Sequence, residues 1–176
     1  MRWWVVPMLG VLACRNSLAD MEARLPAVGA RTPTFDYPLL EGGRFSSRDL
    51  AGSVTVLALW STTCGASRLS LEALGALQAS LQASHTRVVI LAGDTQRADV
   101  QRVLDSADVA IPVALAGEAL AGKFAVGRRW PWQEVALPSF LVLDSAGVVR
   151  GRVVGVEQER ERRLDRVRQA LDALAR

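Results

Sequence analysis

Two cysteines, one histidine and one lysine are all that a chain of 176 residues holds of three chemically versatile residue types. Two cysteines cannot staple a chain of this length, so a disulfide scaffold is excluded. The single histidine, His85, beside so few cysteines makes no metal-ligating cluster. Its place between a helix pattern and a strand pattern is that of a solvent-facing polar residue, not of a Ser-His-Asp member. Glycine-rich phosphate loops are absent, since Gly42-Gly43 sits in a hairpin turn. No cofactor is implied. The lone lysine, Lys123, means that the 21 basic residues are almost all arginine, and against 18 acidic ones the net charge is only +3. The densest charge run, Gln158 to Arg168, alternates Glu and Arg as a solvated helix face does, so no basic patch points to nucleic acid.

What is present is a chain 50% hydrophobic and 22% charged, long enough to bury one full core and too apolar for disorder. Met1-Arg2 precedes an uncharged, mostly apolar run from Trp3 to Ala13. A membrane-spanning helix needs about 20 such residues, so the run is too short to span and suits the hydrophobic region of a signal peptide. Two cleavage readings compete. Ser17-Leu18-Ala19 resembles an ordinary signal-peptidase site, whereas Val11-Leu12-Ala13-Cys14 resembles an imperfect bacterial lipobox in which Cys14 becomes lipidated and attaches the chain to a membrane. Both place the domain outside the cytoplasm, in a bacterial periplasm or at the cell surface. Neither leaves Cys14 as a free thiol. An uncleaved tail is the plain alternative.

Residues 1–19 are thus assigned to a signal, 20–34 to a linker broken by Pro26, Gly29 and Pro33, and 35–176 to one folded domain. Phe35 to Phe45 reads as a small hairpin turning at Gly42-Gly43, and Ser46 to Leu50 as a helical turn. Strand patterns follow at Val54 to Trp60, Arg87 to Ala92, Ile111 to Ala116, Ser139 to Leu143 and Val148 to Val156. Helix patterns lie at Ala66 to Ser84, from a cap at Asp94 or Thr95 to Ala107, at Glu118 to Phe124, and at the end of the chain through Leu164, Val167, Leu171 and Leu174. The order implies an α/β domain with a central mixed sheet flanked by helices.

Cys64 stands between the first central strand and the first long helix. Backbone N–H groups at a helix start favour negative charge, so a thiol there tends to be nucleophilic. Ser61, Thr62, Thr63 and Ser67 around it argue for a loop, against the competing reading of a buried, inert cysteine.

The stretch Leu59-Trp60-Ser61-Thr62-Thr63-Cys64-Gly65-Ala66-Ser67-Arg68 resembles the active-site segment of extracytoplasmic thioredoxin-like proteins of the TlpA/ResA type, which are related to the AhpC/TSA peroxiredoxin group. Leu137-Pro138-Ser139 to Asp144, with Gly147, is similar to that family's cis-proline loop and following turn. Val28 to Phe35 is similar to the segment before its N-terminal hairpin. The resemblance covers about residues 27 to 174 and implies a thioredoxin-like fold with an N-terminal β-hairpin extension. It implies Cys64 as the attacking thiol and Pro138 as the cis-proline, with Trp60, Thr63 and Leu137 beside them at the substrate groove. For Pro138 an ordinary strand-start proline is the competing reading.

Ser67 occupies the place of the resolving cysteine. Its hydroxyl can donate to a thiolate but cannot attack a mixed disulfide, so the site is Cys-x-x-Ser and needs an external resolving thiol. Ser70 stands where many members carry glutamate. Gly127 to Ala136, with Arg128, Arg129, Trp130 and Trp132, reads as a long surface loop or a substrate lid.

Three functions compete. The first is thiol-disulfide exchange through Cys64 with a disulfide- or thiol-bearing protein or a small thiol. The second is a non-catalytic binding or chaperone module. The third is a one-cysteine peroxidase using Ser61 and Arg128 or Arg129; Leu57 stands where that chemistry expects proline.

Overall fold

The computed structural model describes residues 18–81, 85–124, 136–155 and 160–175. Cys14, the arginines and tryptophans of the 127–136 segment, and the cleavage motif before Leu18 lie outside them.

The strand Val54–Trp60 (β3) is buried from Thr55 onward, which is the environment of a central strand covered on both faces. It pairs in parallel with Thr86–Ala92 (β4), from Val54 opposite Thr86 to Trp60 opposite Ala92. On its other side it pairs antiparallel with Ser139–Leu143 (β6), with Leu59 opposite Ser139. Val113–Leu115 (β5) extends the β4 side in parallel, and Val149–Val154 (β7) extends the β6 side antiparallel. The sheet order is therefore β5-β4-β3-β6-β7, and Asp36–Pro38 (β1) with Arg44–Ser46 (β2) forms a separate hairpin. This is the expected mixed sheet and N-terminal hairpin.

Alternation along β3 sorts the core into two layers. Val56, Ala58 and Trp60 face Leu71, Leu74 and Leu77 of the helix Leu71–Ser80 (α3), Val100 and Leu104 of Arg97–Ala107 (α4), and Leu164 and Val167 of Arg160–Leu174 (α6). Leu57 and Leu59 face Phe35, Tyr37 and Phe45 of the hairpin region, Leu50 of the 3-10 turn Ser47–Leu50, and Leu120 and Phe124 of Ala119–Phe124 (α5). Phe35 stacks on Tyr37 with ring centroids 5.3 Å apart. Each buried side chain of this size contributes about 1.5 to 3 kcal/mol.

Three local expectations are corrected. The helix pattern after Ala66 is two helices, Gly65–Leu69 (α2) and α3, separated at Ser70. There the Ser70 N–H meets the carbonyls of both Ala66 and Ser67, and the Ser70 hydroxyl donates to the Ser67 carbonyl at 2.6 Å, tightening the turn. Helix α4 starts behind Gln96, not behind Asp94 or Thr95, and carries no side-chain cap bond. Finally, the stretch read as a linker is docked on the domain. Leu18–Arg24 forms a helix (α1), Leu25 is buried, and Arg166 on α6 pairs with Glu22 at 2.6 Å. Beyond it, the Gly29 N–H donates to the Val149 carbonyl and Thr32 bonds the Gly147 carbonyl. Pro26, Gly29 and Pro33 break periodicity without freeing the backbone, because its polar groups find partners along the β6–β7 turn.

Candidate active site

The parallel pair β3 and β4 ends at the same edge of the sheet at which the antiparallel β6 begins. This brings three loops together: residues 61–64 after β3, 93–96 after β4, and 136–138 before β6. Crevices at such strand ends are where open α/β sheets place their chemistry.

Cys64 is the N-cap residue of α2, with an extended backbone, and its side chain makes no cap bond. Its thiol instead donates to the Leu137 carbonyl at 3.3 Å, across 73 residues of sequence. The Leu137–Pro138 peptide is cis, as the resemblance implies, and Cys64 is partly exposed beside it. The Ser139 hydroxyl donates to the Ala136 carbonyl at 2.6 Å, and the Pro138 carbonyl accepts the Gly155 N–H at 2.7 Å. The proline loop is thus pinned from both sides next to the thiol.

Ser67, in the position of a second sulfur, is wholly buried. Its hydroxyl accepts the Ser61 N–H at 3.4 Å, and the hydrogen bond of the Cys64 thiol goes elsewhere. The Ser67 hydroxyl thus faces the loop backbone, because helical geometry turns Ser67 inward under the end of β3. The Ser67 carbonyl also takes the Trp60 indole N–H at 2.7 Å.

Trp60 itself is fully buried, so the reading that placed it at the substrate groove is corrected: it braces α2 from beneath. Pro138 is buried too, Leu137 is half-buried and Thr63 is exposed, so of these residues Thr63 and Leu137 present surface beside the thiol. Ser70 serves as a brace on the Ser67 carbonyl. Ser61, considered for peroxide chemistry, has its hydroxyl engaged by Thr63 at 2.9 Å and by Asp94 at 3.3 Å.

Asp94 is the site residue that the sequence did not single out for this place. Its carboxylate accepts the Thr62 N–H at 2.9 and 3.1 Å on its two oxygens, and it also accepts the Thr62 hydroxyl. The available signal was its position two residues beyond a strand parallel to the cysteine-bearing one, where loops of neighbouring strands meet. Among the described residues no group of three or more His, Cys, Asp or Glu is placed to hold a metal ion.

A family model described as the AhpC/TSA family matches residues 28–152. No curated protein matches. Among solved structures, a thiol:disulfide interchange protein of the thioredoxin family from Chlorobium tepidum is similar at 21% identity and a TM-score of 0.66, covering 84% of this chain and 97% of its own. The thioredoxin domain of a thiol-disulfide oxidoreductase from Bacteroides vulgatus superposes with a TM-score of 0.68 at 13% identity, over 85% of this chain and 99% of that domain. A secreted Mycobacterium tuberculosis disulfide oxidoreductase gives 0.56 at 17% identity, over 74% and 94%. The central sheet and flanking helices described above share the fold of these proteins.

Proposed function

The chain belongs to the AhpC/TSA family, and from that premise we propose that it is an extracytoplasmic thioredoxin-like protein that exchanges thiols and disulfides through Cys64 alone. The observation that carries this reading is the thiol of Cys64, partly exposed at the start of α2 and 3.3 Å from the carbonyl before cis-Pro138, with serine in place of a second sulfur. The similar structures are named as thiol-disulfide proteins and one of them as secreted, which supports both the chemistry and the compartment.

In the reaction, the Cys64 thiolate attacks one sulfur of a partner disulfide. A Cys64–partner S–S bond forms and the partner's other sulfur leaves as a thiolate. With no sulfur at position 67, an external thiolate then attacks the partner's sulfur in the mixed disulfide, so that a disulfide between the external thiol and the partner forms and the Cys64 sulfur leaves as a thiolate. Leu137 and Thr63, which present surface beside the thiol, meet the incoming chain. Lipidation of Cys14 or its removal with a signal peptide both suit this compartment, and neither adds a second usable thiol.

The peroxidase reading has less support, since the Ser61 hydroxyl is turned to Thr63 and Asp94. The test is incubation of the mature protein with a peptide mixed disulfide, followed by intact mass. A Cys64-linked adduct that an added thiol releases, and that Cys64→Ser abolishes, is expected. Absence of the adduct overturns exchange, and biological activity that survives Cys64→Ala identifies a binding module instead.

A further inference from the structure

A carboxylate at the junction of a strand and a following helix ordinarily caps that helix. Asp94 does not: α4 begins behind Gln96 with no side-chain cap bond, and the Asp94 carboxylate reaches instead to a loop 32 residues earlier. We propose that Asp94 is the positioning residue of the Cys64 loop, holding Ser61 and Thr62 so that the thiol meets a partner disulfide in one direction. This rests on the exchange reading above.

The hydrogen-bond inventory of the loop carries the inference. An ionised carboxylate only accepts, so every group facing Asp94 must donate to it. The Thr62 N–H, the Thr62 hydroxyl and the Ser61 hydroxyl do so. A serine hydroxyl has one proton, and that of Ser61 is committed to Asp94. Its two lone pairs are then free for the Thr63 N–H at 3.2 Å and the Thr63 hydroxyl at 2.9 Å. The direction of each bond in the loop therefore follows from the one charge. The same turn is closed where the Cys64 N–H donates to the Ser61 carbonyl at 3.3 Å. Charge-assisted bonds are the strong ones and networks of them rigidify what they join, so the residue entering α2 inherits its direction from Asp94. Asp94 touches neither the sulfur nor its carbonyl partner among the described contacts, so it acts through the loop.

The test compares wild type, Asp94→Ala and Asp94→Asn, whose amide oxygen still accepts the Thr62 N–H. Two readouts are taken: hydrogen exchange at the Thr62, Thr63 and Cys64 amides, and the rates of Cys64 with a peptide mixed disulfide and with iodoacetamide. In Asp94→Ala, exchange at those amides rises about tenfold and reaction with the peptide slows about tenfold, as lost orientation predicts. Reaction with iodoacetamide, which needs little orientation, stays within about twofold, and Asp94→Asn restores the peptide rate to within about threefold of wild type.

Unchanged amide protection and peptide rate in Asp94→Ala overturn the proposal. So does an equal loss in both thiol reactions with a lowered melting temperature that Asp94→Asn does not rescue, which is mere destabilisation. If wild type forms no peptide adduct while Asp94→Ala still loses amide protection, the exchange reading falls and the hold of Asp94 on the loop stands.

Discussion

At position 67 a serine hydroxyl lies fully buried against the Ser61 N–H, one helical turn beyond the only cysteine of the described residues. The pattern Cys-Gly-Ala-Ser was legible in the sequence, and so was its consequence for the proposed exchange, that position 67 offers no sulfur to resolve a mixed disulfide. The direction of the hydroxyl was not, because it depends on how α2 sits under the end of β3. Cysteine is close to serine in shape and is readily buried. Ser67→Cys is therefore expected to fold, to lose both thiol hydrogens on mild oxidation, and to become resistant to alkylation until reduced. Mass spectrometry before and after a reductant checks this. A Ser67→Cys protein whose two thiols stay alkylable under oxidant shows that more than the sulfur is missing. Trp60 teaches the complementary lesson: a tryptophan four residues before the thiol reads as a groove residue, and burial turned it into a brace.

Turns and strand ends were the elements easiest to read. The pattern Asp144-Ser145-Ala146-Gly147 predicts the β6–β7 turn, and in the structure Asp144 accepts the Ala146 and Val148 N–H groups at 2.9 Å each and the Arg150 guanidinium at 2.8 Å. Burial pushes the Asp144 carboxyl up, but the bonds from Val148, Arg150 and Ala146 outweigh it and hold the group below its ordinary value.

A lowered folded-state value stabilises the fold above the unfolded carboxylate range and loses that contribution as pH falls through the folded value. Asp144→Ala should thus cost about 2 kcal/mol near neutral pH, or about 6 °C in melting temperature for a chain of this size. Melting curves from neutral to acid should show the gap to wild type constant above about pH 5 and closing below about pH 4. A gap that persists in acid contradicts the assignment. Asp49 is lowered in the same direction, chiefly by the Ser46 N–H and hydroxyl. Helix breaks were harder to read than turns: nothing in the leucine spacing after Ala66 marks Ser70, where the competing bonds to Ala66 and Ser67 end α2.

Across the molecule, α6 closes one face of the sheet over β7. A Cβ on Gly151 would lie 2.7 Å from the Cβ of Ala170 on α6 and 3.5 Å from that of Val142 on the neighbouring strand. The helix can approach this closely only over a residue without a side chain. Gly151→Ala should destabilise by about 1 to 3 kcal/mol, the range for overpacking. Adding Ala170→Gly should recover part of that even though glycine costs a helix about 1 kcal/mol. Denaturant unfolding of the single and double variants gives the coupling. Strictly additive losses would mean the contact is not what fixes the helix. The glycine was visible in the sequence only as a residue inside a strand pattern, since the partner that makes it necessary lies 19 residues further on.

The sequence by itself determined most of the element types, the place of Cys64 between strand and helix, and the serine three residues after it. Those depend on side-chain period, turn residues and residue identity, which act over a few positions. Only the tertiary structure decided what surrounds the thiol. The Leu137 carbonyl is 73 residues from Cys64 and the Asp94 carboxylate is 32 from Thr62, and neither distance has a local signature. They meet because β3, between β4 and β6, aligns three loops at one sheet edge, and hydrogen-bond register rather than sequence spacing sets which residues face one another there.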